Sequence, residues 1–141
     1  MPLIELDVLL AFINKSDRHH EVASRVIEGA VTDESYNLSS VTLIEMSLIY
    51  RSRSMELELE EDLRLLLSLF NGRTTQLTPL EAMRAVWIRR EYGLSFFDSL
   101  HAASAMSLDS AIVSFDDVYD RVEGLRRIDP RELQERALNG S

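Results

Sequence analysis

Short apolar runs alternate with longer amphipathic stretches along this 141-residue chain, and that alternation restricts its fold more than any other feature. The run from Leu3 to Ile13, broken only by Glu5 and Asp7, reads as a buried strand feeding a helix or turn. Tyr36-Asn37-Leu38-Ser39, Thr74-Thr75-Gln76-Leu77, Ala111-Ile112-Val113-Ser114 and Leu125 to Ile128 read as further strands. Helical patterns fill the gaps. Ser16-Asp17 offers a cap ahead of Val22, Val26 and Ile27, and Val41 to Arg51 carries Leu43, Met46, Ile49 and Tyr50. Leu57 to Phe70 is Leu- and Glu-rich and closes at Asn71-Gly72. Thr78-Pro79-Leu80-Glu81 opens a helix that Gly93 stops, Phe97 to Met106 forms an alanine-rich one, and Asp129-Pro130 starts the last. Strands that alternate with helices predict an α/β three-layer sandwich, with a central parallel sheet of four to five strands flanked by helices. Neither a repeat nor a Pro/Gly/Ser linker interrupts the pattern, so residues 1–141 are expected to form one domain.

In such sheets ligands bind beyond the carboxyl ends of the strands, here just after Ile4, Leu38 and Val113. Acids stand at or near those places. Glu5 and Asp7 close the first apolar run, Glu45 sits between Ile44 and Met46, Asp98 opens the alanine-rich helix, and Asp116-Asp117 follows Val113-Ser114-Phe115. Each has an ordinary role open to it: a helix cap for Asp98, a turn for Asp116, a solvated helix face for Glu45. Their joint placement favours a different reading. Carboxylates gathered in one cleft repel and raise one another's pKa unless a cation neutralises them. Hard oxygen ligands select Mg²⁺ or Mn²⁺, and such ions activate water for in-line attack on phosphorus. Metal-assisted phosphodiester hydrolysis is the expected chemistry.

Composition narrows the field further. The chain has no cysteine, which excludes disulfides and thiolate metal sites. No apolar run reaches the roughly 20 residues of a bilayer span, and Met1 to Asp7 meets acids early, unlike a secretory leader. A cytoplasmic protein without membrane contact is expected. The net charge of −9 argues against indiscriminate nucleic-acid binding, although bound cations reverse the local field. A phosphoacceptor receiver needs a lysine on a late strand, and the only lysine is Lys15. A haloacid-dehalogenase-like phosphatase needs Asp-x-Asp, which Glu5-Leu6-Asp7 does not supply.

Four stretches carry a resemblance that spans nearly the whole chain. They are Asp7 to Asn14 with His19-His20 following, Leu38 to Glu45, Leu94 to Ala103, and Ile112 to Asp117. Together they resemble the PIN-domain family, in particular the VapC-type toxins of toxin–antitoxin pairs. The resemblance implies a PIN-like fold, Mg²⁺- or Mn²⁺-dependent cleavage of RNA, a homodimer, and a small antitoxin partner that covers the cleft. It places the family's second, third and fourth acids on Glu45, Asp98 and Asp116. For the first acid, two registers compete. Matching Asp7-Val8-Leu9-Leu10 to the end of the opening motif puts Glu5 in the acid's place and Leu6 where a hydroxyl residue is usual. The other register makes Asp7 the acid and spoils the downstream match. The extra methylene of Glu5 shifts its carboxylate by about 1.5 Å, so a catalytically impaired relative that binds RNA or protein is the alternative function. Adjacent His19 and His20 point apart on a helix and read as surface or packing residues. His101 lies near the pocket, with packing as its default role. Trp87 reads as core or interface, and Arg89-Arg90 suit a helix C-terminus while also being able to reach phosphate.

Overall fold

The computed structural model describes residues 1–133. Its elements follow the predicted alternation: β1 (Leu3–Ile4), α1 (Leu6–Ile13), α2 (His20–Asp33), β2 (Leu38–Ser39), α3 (Ser40–Ser52), α4 (Glu56–Leu69), β3 (Thr74–Thr75), α5 (Pro79–Tyr92), α6 (Phe96–Met106), β4 (Ala111–Val113) and β5 (Arg126–Ile128). A 3₁₀ turn, Asp117–Arg121, stands between β4 and β5. The helix expected after Asp129 is present over residues 130–133, and its continuation lies outside the described residues.

All strand pairs are parallel. Strands β1, β4 and β5 form one ladder and β2 with β3 another. A bridge between Leu3 and Asn37 joins them, with the Ile4 amide donating to Asn37 O and the Asn37 amide to Pro2 O, both at 3.0 Å. The resulting spatial order is β3-β2-β1-β4-β5, with its reversal between β1 and β4. That is the switch point, where the connections leaving two neighbouring strands diverge and open a crevice.

Two cores lie on the two faces. Because alternate strand residues point opposite ways, Ile4, Ala111 and Val113 face α1, α2, α3 and α4, while Leu3 and Ile112 face α5, α6 and the 3₁₀ turn. Strands buried on both faces explain the unbroken apolar runs. Burying one side chain the size of Ile4 or Ile112 contributes about 1.5–3 kcal/mol.

Local chemistry sets several boundaries. The capping box of Thr78 and Glu81 and the left-handed Gly93 (φ 71°) bound α5 as predicted. Helix α2 starts at His20, not directly after Ser16-Asp17, because Asn14 and Asp17 bind the amides of Ser16 and His19 and hold residues 14–19 in turns. Strand β3 loses Gln76 and Leu77, since the Leu77 amide goes to Ser40 Oγ and leaves the ladder.

Candidate metal centre

The carboxyl ends of β1 and β4 bring the acids of distant segments together. Glu5 follows β1 directly, its amide donating to Val113 O at 3.0 Å. It is the N-cap residue of α1, yet its side chain makes no capping bond. The carboxylate instead turns inward and is only 6% exposed. Asp7, in the first turn of α1, accepts the Phe115 amide (3.0 Å) and the Ser114 hydroxyl (2.8 Å) on Oδ2. Ser114 Oγ also lies 3.3 Å from Glu5 Oε2 and accepts the Asp116 amide at 3.0 Å. One buried hydroxyl thus ties the end of β4 to both acids of the first motif.

From the α3 side comes Glu45. Its Oε1 lies 3.0 Å from Nε2 of His101, which is fully buried on α6 one turn past Asp98. The same Nε2 lies 3.6 Å from Glu5 Oε1. With carboxylate oxygens of both Glu45 and Glu5 as its neighbours, Nε2 takes the donor role, and His101 orients Glu45. Ligand atoms of Glu5, Glu45 and His101 all lie within 4.8 Å of one another. Asp98 completes this side. Its amide is capped by Ser95 Oγ, and its Oδ1 accepts the Tyr119 hydroxyl at 3.3 Å.

The electrostatics follow from this crowding. Burial first, then the charges of Asp7, Glu45 and Asp98, push the Glu5 carboxyl well above the usual glutamate range. Asp7 is also pushed up by burial, against the opposing hydrogen bonds of Ser114 and the Phe115 amide. Burial and the charges of Glu5, Asp98 and Asp7 push the Tyr119 phenol up, which keeps it a donor to Asp98. Asp7 Oδ1 and His101 Nδ1 are buried without a hydrogen-bond partner among the described residues. Oxygen-rich, short of positive charge and holding an orphaned carboxylate oxygen, this donor set fits a divalent cation.

The predicted site residues therefore divide. Glu5 and Glu45 meet at His101, with Asp7 and Asp98 coupled to Glu5 electrostatically. Asp116 stands at the lip, exposed, its Oδ1 capping the 3₁₀ turn through the Val118 amide at 3.0 Å. His101, expected to be a packing residue, is the pivot of the cluster, and Ser114 was overlooked. A small hydroxyl residue closing an apolar strand just before two aspartates was the available signal. His19 and His20 do not share a site: His19 stacks on Phe115 at 4.3 Å, while His20 Nδ1 lies 2.9 Å from Ala11 O.

The PIN domain sequence profile matches residues 6–125, which is most of the chain. The chain belongs to the PIN-domain family. Members of this family are generally nucleases. Solved structures share the fold at low identity. FitAB bound to the IR36 DNA fragment superposes with a TM-score of 0.74 at 18% identity, covering 92% of this chain and 95% of that one. VapBC2 from Rickettsia felis, bound to a promoter DNA fragment, gives 0.71 at 17%, covering 89% and 96%. A toxin–antitoxin complex from Klebsiella pneumoniae gives 0.67 at 19%, covering 92% and 98%. No curated protein sequence matches the chain. Among the described residues, no helix of this PIN domain is long and apolar enough to cross a membrane.

Proposed function

We propose that this PIN domain is an Mg²⁺- or Mn²⁺-dependent endoribonuclease and the toxin of a toxin–antitoxin pair. The observation that carries the reading is the meeting of Glu5, Glu45 and His101 at the ends of β1 and β4, with the Asp98 charge felt at Glu5. Glu5 and Glu45 would hold the cation, Asp98 would flank it, and Asp116 would serve as an outer acid at the lip. Once bound, the cation supplies the positive charge that relieves the carboxylates and stabilises the attacked phosphate. The protein's own groups set the geometry. His101 orients Glu45, Tyr119 holds Asp98, and Ser114 fixes the first-strand acids, as partners of metal ligands generally do.

A protein partner is supported by surface chemistry. Ile44 and Leu48 are exposed and line a groove of 610 Å³ with Leu43, Arg51, Glu56 and Leu59. Its apolar floor and charged rim suit an antitoxin segment, as do the complexes formed by the structural relatives. Pairing of two copies into a homodimer completes the proposed assembly.

The test is an RNA-cleavage assay with Mg²⁺, Mn²⁺ or EDTA on the wild type and Asp98→Asn. Loss of about a thousandfold in the variant is expected, because the cation environment is worth several kcal/mol in the transition state. Cleavage that survives both EDTA and the variant would sink the reading. Cation-responsive RNA binding without any cleavage would point instead to an impaired relative whose Glu5-Leu6 motif has replaced the usual acid and hydroxyl.

A further inference from the structure

Among the described residues, four arginines are spent on acids. Arg127 and Arg131 are paired with Asp120 and Asp129, and Arg25 and Arg64 pair along their own helices. Arg89 is different. Its guanidinium donates to the buried Ser99 hydroxyl at 2.7 Å, and that hydroxyl in turn donates to Phe96 O at 2.7 Å. Among the described residues no carboxylate lies within ion-pair distance of it. Its Cζ stands 5.2 Å over the Phe96 ring. Phe96 is 59% exposed, far more than packing requires of a phenylalanine. It is held edge-on by Phe97 at 5.2 Å and begins the helix turn that carries Asp98.

A cation fixed in place without a counter-charge beside an open aromatic ring is the pairing that single-stranded nucleic acid uses. The ring stacks a base of any sequence and the guanidinium meets a phosphate. The need is acute here, because a chain of net charge −9 repels the RNA backbone everywhere that cations do not intervene. We infer that Phe96 and Arg89 form a nucleotide subsite at the start of α6, the helix that carries Asp98, where one base of single-stranded RNA stacks on Phe96 and a neighbouring phosphate is bound by Arg89. The inference rests on the nuclease reading and adds to it a site that holds the strand.

The subsite is tested by steady-state cleavage of a short single-stranded RNA with Mg²⁺ at several salt concentrations, together with sedimentation velocity of each protein. Phe96→Ala is expected to raise KM about tenfold with kcat held within about twofold, and Phe96→Trp to restore KM. Arg89→Gln is expected to raise KM and to lower the slope of log KM against log salt by about one, the signature of one lost phosphate contact. If the wild type cuts RNA and Phe96→Ala leaves KM unchanged, the subsite is refuted while the nuclease stands. A fall in kcat alone also refutes it, since Phe96 would then only position Asp98. So does a variant that dissociates an oligomer without moving KM, which would assign the ring to a contact between copies. If the wild type cuts no RNA at all, the nuclease reading fails first, visibly, before any variant is compared.

Discussion

Two clusters of charge flank the β4–β5 end of the sheet, and they are built on opposite terms. At Arg127, the acids are answered: Asp120 and Asp129 receive guanidinium hydrogen bonds from Arg127 and Arg131. The Arg131 hydrogen bond holds the Asp129 carboxyl below its ordinary range. At Glu5, four carboxylates crowd together with one histidine and two hydroxyls, and the carboxyl is pushed the other way. The first cluster stabilises the fold as it stands. The second is unfavourable until something positive arrives, and that contrast separates a structural ion network from a functional one.

Substitution within the second cluster gives the largest expected effect. Glu5→Gln should lower cleavage by about a thousandfold, whereas Asp7→Asn should lower it only about tenfold. Asparagine keeps an oxygen for the Phe115 amide, and the contacts of Asp7 Oδ2 run to protein groups. Initial rates on one RNA compare the two, and a larger loss in Asp7→Asn would move the first metal acid from Glu5 to Asp7.

Proton linkage gives the next effect. Glu5 holds its proton more tightly folded than unfolded, so folding takes up a proton as pH rises above the unfolded value of about 4.3. Stability in EDTA should therefore fall across the window from there up to the raised folded-state value, at about 1.4 kcal/mol per pH unit where the difference is one full proton. Mg²⁺ should abolish that slope. Thermal melts at stepped pH, with and without the ion, measure both, and a metal-free melting temperature that climbs through this window would contradict the assignment.

Asp129→Asn is expected to have the smallest effect. It should cost about 1 kcal/mol at neutral pH, as exposed-to-half-buried ion pairs do, and leave cleavage unchanged. Because its folded pKa is depressed, that contribution is present above the unfolded aspartate value and is lost as pH falls through the folded one, the reverse of Glu5. Denaturant melts at neutral and acid pH resolve it.

The layers of the fold were legible because strands buried on both faces must be apolar throughout, and helices must show a stripe. Glu45 could be picked out because an acid in apolar surroundings needs a counter-charge, and Asp98 because it opens a helix beside the strand ends. Other features depend on contacts that no local pattern encodes. His101 looked like a packing residue because a lone histidine in Phe97 to Met106 gives no sign of Glu45, 56 residues earlier in the chain. Ser114 binds acids 107 and 109 residues away. The turn role open to Asp116 could not be separated from a metal role for the opposite reason. An aspartate followed by Asp117-Val118 suits a turn and a metal site equally well, and the bond to Val118 is too local to leave a periodic trace.

Strand β1 has a consequence for synthesis. It holds only two residues, yet it lies in the middle of the sheet, with Leu3 opposite Ile112 on one side and Asn37 on the other. While a ribosome is extending the chain, Glu5, Asp7 and Glu45 exist early but have neither the β4 ladder nor His101 to gather them. The pocket closes only after more than a hundred residues have emerged, so the acid cluster is assembled late although half of its carboxylates are made first.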